Sequence, residues 1–210
     1  PPPPPPPLLH AEAGIRDWQY CLVGSEMCIR DRPIVIIGLL SLALAVLYTG
    51  GPFPLAYHGL GDVFVFVFFG LVATAGTRYV FSPSVPSAVW TGGVVMGLLA
   101  AAILEANNIR DIDTDRDAGK RTLAVMIGRE RARTLYGATM AAAFVVIAFG
   151  SLVGWLPFMC VIALLVAPLA IPLIRTIRSE TSGPPLIGVL KGTAQVQLFT
   201  GLLLALGIAF

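Results

Sequence analysis

Residues 107–123 read NNIRDIDTDRDAGKRTL and separate two long apolar runs. The chain has 14 Lys and Arg and 12 Asp and Glu, and half of these charged residues lie between Glu105 and Arg133. The only two asparagines of the chain are in the same stretch. Polar groups at the end of a membrane helix must be solvated, paired or bound to ions, because hydrocarbon offers them no partners. The stretch therefore predicts a polar site at the end of a membrane helix.

The composition indicates a membrane protein. Hydrophobic residues make up 56% of the chain, charged residues 12%, and the mean hydropathy is +0.82. Several apolar runs approach the roughly 20 residues that a helix needs to cross a bilayer. We therefore predict an all-α, polytopic transmembrane helical bundle with the lipid bilayer as its partner. The net charge of +2 is too small to indicate a nucleic-acid partner.

Six transmembrane spans are predicted from the apolar runs, and Lys and Arg orient them. The spans cover residues 33–49, 61–81, 89–106, 134–153, 156–174 and 193–210. Basic residues concentrate after the third and fifth spans, whereas the alternate loops carry almost none. Because cytoplasmic loops are enriched in Lys and Arg, we expect a multi-pass protein of the inner (plasma) membrane. Its charged cluster and the loops of its candidate site would be cytoplasmic.

The first 32 residues do not follow this pattern. They begin with seven prolines, which favour extended polyproline II or disorder. Residues 21–32 resemble a translated sequencing-adapter read. We expect residues 1–32 to be a non-native or disordered tail and residues 33–210 to form the membrane domain.

The carboxylates of the cluster have the spacing of a cation site. If helix continues through it, Asp111 and Asp115 lie one turn apart on the same face. Two such carboxylates can hold Mg²⁺, which prefers oxygen ligands and often bridges substrate phosphates. Lys120 and Arg121 would then meet phosphate oxygens as cations.

Simpler interpretations of the same residues remain open. The cluster could be a solvated loop with internal salt bridges, in which Asp113 and Asp117 pair with Arg110, Arg116 or Arg121. A calcium-binding EF-hand is excluded, since Ala118 stands where the loop requires glycine. Elsewhere, Asp62 could cap the second span and Tyr48 could be an interfacial aromatic residue.

The cluster resembles the second aspartate-rich motif of the UbiA superfamily of intramembrane prenyltransferases. Its details are similar to the branch that prenylates 1,4-dihydroxy-2-naphthoate in menaquinone biosynthesis. A second patch supports this branch: residues 47–52 read LYTGGP, residues 57–62 read YHGLGD and residues 67–70 read VFFG. The resemblance covers roughly residue 33 to the end of the chain.

The resemblance implies a bundle of nine helices around a central cavity, of which this chain would supply about six. It implies transfer of a polyprenyl chain from its diphosphate to the aromatic acceptor, with Mg²⁺ as cofactor. By motif match, Asp111 and Asp115 would be the catalytic and metal-binding carboxylates, and Lys120 would contact the diphosphate. The remaining substrate-binding candidates are Asn108 and Arg110, which would order the aspartate loop, together with Arg121, Tyr48 and Asp62.

The chain departs from the family pattern at one point. The superfamily carries a first motif of the Asn-Asp-x-x-x-Asp type, but no asparagine precedes Asn107 here. We therefore expect a C-terminal fragment that is inactive alone. The alternatives are prenyl transfer to another aromatic acceptor, such as 4-hydroxybenzoate or homogentisate, and a non-catalytic membrane transporter or scaffold.

Overall fold

The computed structural model describes residues 25–49, 59–82, 84–181 and 183–210. The chain divides into two compact units, residues 1–42 and residues 43–210. The described residues are helical and contain no strand, which confirms the predicted all-α class. In chain order the helices are α1 Ser25–Thr49, α2 Gly61–Phe81, α3 Ser87–Arg110, α4 Ile112–Asp117, α5 Leu123–Ile127, α6 Arg129–Leu152, α7 Phe158–Ser179 and α8 Gly183–Ala209.

Five of these helices are long and apolar enough to cross a membrane: α2, α3, α6, α7 and α8. They correspond to the second to sixth predicted spans. The predicted span over residues 33–49 lies within α1, whose apolar stretch covers only Pro33–Leu44. Helix α1 begins at Ser25, so the last residues of the predicted tail are helical. The first 24 residues of that tail lie outside the described part of the chain.

The predicted bounds were least accurate where polar residues or prolines continue a helix. Helix α3 extends to Arg110, four residues beyond the apolar run that predicted it. Helix α8 begins at Gly183, ten residues before the predicted start, with two prolines in its first turn. Proline is tolerated there because the first N–H groups of a helix have no intrahelical partner. Helix α7 starts as a 3₁₀ segment over Phe158–Val166 and continues as α-helix from Ala167.

Within residues 43–210, α3 packs against α2, α6 and α8. Helix α2 contains a π-helical segment, Phe66–Val72, where it meets α3. A Cβ atom added to Gly70 would lie 2.5 Å from the Cα atom of Gly97, so only glycine permits this approach of the two backbones. Such small residues allow close helix packing in membranes. On the other side of the bundle, the hydroxyls of Tyr136 in α6 and Thr193 in α8 form a buried hydrogen bond of 2.8 Å.

Candidate active site

The charged cluster begins at the C-terminal end of α3. The helical dihedral angles are interrupted there at one residue, but the backbone hydrogen bonds continue. Asp111 leaves the helical conformation (φ −94°, ψ 8°), yet its N–H still donates to the carbonyl of Asn107 at 3.1 Å. The N–H of Asp115 in turn donates to the carbonyl of Asp111 at 2.8 Å. Asp111 and Asp115 are therefore separated by one helical turn, as the sequence predicts for a continued helix.

Arg110 holds the first carboxylate in a two-point contact. Its Nε donates to Oδ1 of Asp111 at 2.7 Å and its Nη2 to Oδ2 at 2.6 Å. The same Nη2 donates to Oδ1 of Asn107 at 2.9 Å. Such planar, charge-assisted pairs fix geometry as well as charge. These contacts hold the carboxylate of Asp111 in place, and the role of Arg110 in substrate binding stays a prediction.

Lys120 folds back onto the second carboxylate. Its Nζ lies 3.1 Å from Oδ1 of Asp115, and its backbone N–H donates to the carbonyl of Asp115 at 2.8 Å. Asp115 is buried, with 7% of its surface exposed. The chain can return this tightly because Gly119 adopts a φ of +73°, which side chains other than glycine disfavour. Asp115 is thus a buried carboxylate with one adjacent cation.

Of the two outer carboxylates, Asp113 forms a separate network of ion pairs, whereas Asp117 forms none among the described residues. Asp113 pairs with Arg129 at 2.6 Å and with Arg116 at 3.5 Å. Arg129 also donates to the backbone carbonyl of Ile109 at 3.0 Å, so it ties the start of α6 to the end of α3. The sequence correctly suggested Arg116 as a partner of Asp113. It missed Arg129, which lies 16 residues away.

Asn108 faces away from this cluster. Together with Asp62 and Glu105 it lines a small cavity of about 10 Å³, which is close to the space of one water molecule. Asn108 lies three residues after Glu105, on the same side of α3, whereas Arg110 lies elsewhere around the helix. The expected role of Asn108 in ordering the aspartate loop therefore finds no contact in this geometry.

Glu105 is a polar residue of this cavity that sequence reasoning did not select. Its Oε1 accepts a hydrogen bond of 2.8 Å from the hydroxyl of Thr139, and only 6% of the residue is exposed. Its Oε2 and the Oδ1 atom of Asp62 are buried without a hydrogen-bond partner among the described residues. One oxygen of the half-buried Asp62 carboxylate therefore lies inside the protein, in the cavity that Glu105 and Asn108 of α3 also line.

Gly59, just before α2, lies beside the end of the charged cluster. Gly59 has a φ of +72°, and a Cβ atom there would lie 2.7 Å from Sδ of Met126 and 3.6 Å from the carbonyl oxygen of Arg121. The side chain of Arg121 is exposed, without an ion pair in the described ranges. Tyr48 is in the last turn of α1, but its side chain lies outside the described part of the structure, as do residues 50–58.

A larger cavity lies between α2, α3 and α8, with a volume of about 610 Å³. Seven of its ten lining residues carry apolar side chains, and the other three are Asn107, Lys191 and Gln197. The cavity therefore reaches the charged cluster at Asn107, which is hydrogen-bonded to Arg110. Ligand cavities in proteins have volumes of about 300–1,000 Å³, apolar walls and few polar groups.

The carboxylates could hold one divalent cation together with a phosphate ligand. No group of three His, Cys, Asp or Glu side chains that could bind a metal occurs within the described ranges. However, Mg²⁺ is commonly held by one or two carboxylates, with water and substrate phosphates completing its shell. Each carboxylate has about four lone-pair sites. Asp111 and Asp115 therefore keep free sites beside their contacts with Arg110 and Lys120.

Comparison with known proteins identifies the family. The profile of the UbiA prenyltransferase family matches residues 21–186. This chain belongs to the UbiA prenyltransferase family. The family resemblance carried by the aspartate cluster is thereby confirmed, whereas the predicted boundary at residue 32 stays a prediction.

Relatives in the UbiA family agree with the branch suggested by the sequence. The chain is 40% identical over 194 residues to 1,4-dihydroxy-2-naphthoate octaprenyltransferase of Mycobacterium tuberculosis, covering 90% of this chain and 64% of the relative. It is 37% identical over 180 residues to the Escherichia coli protein of the same name, covering 83% and 56%. It is 30% identical over 189 residues to UbiA prenyltransferase domain-containing protein 1 of Ailuropoda melanoleuca, covering 90% and 53%. The chain thus spans less than two thirds of the length of these relatives. No solved structure matches it.

Proposed function

We propose that this chain contributes the diphosphate-binding half of a prenyltransferase that moves a polyprenyl chain from its diphosphate to 1,4-dihydroxy-2-naphthoate, a step of menaquinone biosynthesis. One observation carries the proposal. The pairs Arg110–Asp111 and Lys120–Asp115 lie on consecutive turns, beside an apolar cavity that begins at Asn107. The names of the similar proteins support the choice of acceptor.

In the proposed reaction the bond between the terminal carbon of the prenyl chain and the diphosphate oxygen breaks, and the electron pair leaves with the diphosphate. The ring carbon that bears the carboxylate then donates an electron pair to the allylic cation and forms the new carbon–carbon bond. The carboxylate is lost as CO₂, and its bonding electrons restore the aromatic ring. The negative charge that accumulates on the diphosphate is therefore the main charge that the protein must stabilise.

The residues of the cluster have distinct roles in this proposal. Asp111 and Asp115 would hold Mg²⁺, which would neutralise charge on the diphosphate. Lys120 would donate to a phosphate oxygen, moving from Asp115 as the diphosphate binds, and the exposed Arg121 would be a second cation for it. Arg110 keeps the carboxylate of Asp111 oriented. The apolar cavity would accommodate the reacting end of the isoprenoid chain next to the acceptor and keep water from the allylic cation.

Prenyl transfer from a polyprenyl diphosphate, measured in membranes with Mg²⁺ and 1,4-dihydroxy-2-naphthoate, tests the proposal. Two proteins are compared: the chain as given, and a chimera that adds the part of the M. tuberculosis relative which the chain does not match. We expect the chimera to be active and the chain alone to be inactive. In the chimera, Asp111→Ala or Asp115→Ala should lower kcat by about 10²-fold or more, as for other losses of transition-state charge stabilisation.

Asp117→Ala is the matched control, because Asp117 is exposed and forms no ion pair in the described structure. It should leave prenyl transfer near the wild-type rate. An inactive chimera that also fails to bind a prenyl diphosphate with Mg²⁺ would refute the proposed function. Transfer to 4-hydroxybenzoate or homogentisate instead of the naphthoate would refute the acceptor alone.

We further propose that the protein lies in the plasma membrane with the 107–133 segment on the cytoplasmic side. The proposal is supported by the concentration of Arg and Lys in that segment. In a cysteine-free background, Asp117→Cys should react with an impermeant maleimide only after the cells are opened. Ser84→Cys, in the loop between α2 and α3, should react in intact cells. The reverse pattern would refute this orientation.

A further inference from the structure

Lys191 is an exposed cation of α8, a helix long and apolar enough to cross a membrane. It lies eight residues after the first residue of α8, which corresponds to about 12 Å along the helix axis. An ionisable side chain at such a position is costly unless it meets a partner, water or a ligand. None of the ion pairs among the described residues includes Lys191. Its charge is therefore available to a ligand.

The position of Lys191 around α8 places it on the cavity rather than in the core. Leu190, Lys191, Ala194 and Gln197 all line the 610 Å³ cavity. The neighbouring face of α8, which includes Thr193, packs into the core and is fully buried. Among the described residues that line this cavity, Lys191 is the only cationic one. A ligand in the cavity thus meets one positive charge on an otherwise largely apolar wall.

The charge balance favours a monoanion over a diphosphate at Lys191. The groups assigned to the diphosphate, Asp111, Asp115 and Lys120, are not among the residues that line this cavity. An aromatic carboxylate carries a single negative charge on a flat apolar ring, which fits one ammonium group among apolar walls. Gln197 adds a polar group to the same wall, held by a weak 3.5 Å hydrogen bond from its Nε2 to the carbonyl of Met96. Its side-chain oxygen remains able to accept a hydrogen bond from a ring hydroxyl.

We propose that Lys191 selects the acidic aromatic acceptor, by pairing its ammonium group with the carboxylate of the acceptor in the cavity between α2, α3 and α8. This inference rests on the proposed function, and it adds a specificity residue on the last helix. Loss of one charge-assisted hydrogen bond should lower the affinity roughly tenfold. Lys191 would therefore distinguish a naphthoate from a naphthol of the same shape.

The test measures equilibrium binding to the purified chain in lipid nanodiscs, with four probes. The acidic probe is 1-hydroxy-2-naphthoate, and its neutral counterpart is 1-naphthol. Geranyl diphosphate and geraniol form the corresponding pair for the prenyl donor. The wild type should bind the naphthoate about tenfold more tightly than the naphthol. Lys191→Met should abolish that preference and leave the affinities for 1-naphthol and geranyl diphosphate unchanged, whereas Lys191→Arg should retain it.

Arg175→Met is the matched control, since it removes an exposed cation from α7 that does not line the cavity. It should retain the preference for the naphthoate. The inference is overturned if the wild type does not distinguish the naphthoate from the naphthol, or if Arg175→Met has the same effect as Lys191→Met. It is also overturned if Lys191→Met lowers the affinity for geranyl diphosphate as much as the affinity for the naphthoate, because Lys191 would then bind the diphosphate.

The transfer assay separates this inference from the proposed function. If the chimera transfers prenyl groups and Lys191→Met leaves the KM for the naphthoate unchanged, the inference about Lys191 fails and the proposed function stands. If Lys191 confers carboxylate selectivity in the binding assay but the chimera transfers no prenyl group, the binding role of Lys191 is supported and the proposed reaction fails.

Discussion

Arg110→Lys should damage the candidate active site while preserving its net charge. Arg110 donates three hydrogen bonds, two to Asp111 and one to Asn107, at 2.6 to 2.9 Å. Lysine can replace one of these contacts but cannot reproduce the planar two-point grip. Two bonds are therefore lost. Because the side chains of Arg110 and Asp111 are 25% and 31% exposed, we take about 1 kcal/mol for each bond, below the usual range for charged groups.

The total of about 2 kcal/mol corresponds to a decrease of roughly 30-fold in kcat/KM, if the orientation of Asp111 matters for the transition state. The assay is prenyl transfer by the chimera in membranes. It is paired with a measurement of Mg²⁺-dependent geranyl diphosphate binding, which reports on the site without turnover. Binding should weaken together with the rate, because both depend on the position of the same carboxylate.

The matched control is Arg116→Lys. Arg116 is in the same segment, but its side chain is 58% exposed and its ion pair with Asp113 spans 3.5 Å. Pairs of this kind contribute little to stability, so kcat/KM should hardly change. Equal losses of kcat/KM in the two variants would refute the reasoning, since the effect would then come from replacing any arginine of this segment and not from the contacts of Arg110. Full activity of Arg110→Lys would refute it as well.

Two further predictions concern the packing of the bundle. Tyr136→Phe should destabilise the chain by only about 0.6 kcal/mol, the average for interhelical hydrogen bonds in membranes. The loss is small because the Thr193 hydroxyl keeps its hydrogen bond to a backbone carbonyl. Thermal unfolding in detergent measures the change, and a loss of several kcal/mol would contradict the prediction. Gly97→Ala should cost about 1–3 kcal/mol, because the added Cβ would lie 2.7 Å from a backbone oxygen of α2. Gly92→Ala, where nothing lies within 4 Å, is its control and should be neutral or stabilising.

The sequence predicted the helical class and most spans because an apolar run of roughly 20 residues has the length that a helix needs to cross a bilayer. The span Gly61–Phe81 was predicted with the bounds that the structure has. The start of α8 was missed because two prolines and Lys191 lower the apolar character of its first half. Apolar content alone does not register that prolines fit the first turn of a helix.

In the candidate site, too, contacts between residues close in the sequence were predicted, whereas contacts between distant residues were missed. The spacing of Asp111 and Asp115 is a local property, and the helical period is enough to bring them together. Partners that are distant in the sequence left no local signal. Arg129 reaches Asp113 from the start of α6, and Thr139 reaches Glu105 from the middle of it. Such pairs depend on how α3 and α6 pack, which the sequence of neither helix determines alone.

The polar residues at the end of α3 serve two different environments, and the helical period separates them. Glu105 and Asn108 point to the small internal cavity, whereas Asn107 and Arg110 point to the large cavity and the aspartates. Each pair is three residues apart, so its members share a side of the helix. The six residues 105–110, four of them polar, therefore contribute both to a buried polar contact with α6 and to the proposed diphosphate site. For this reason, position around the helix separates these residues into two groups, which nearness to Asp111 in the sequence does not.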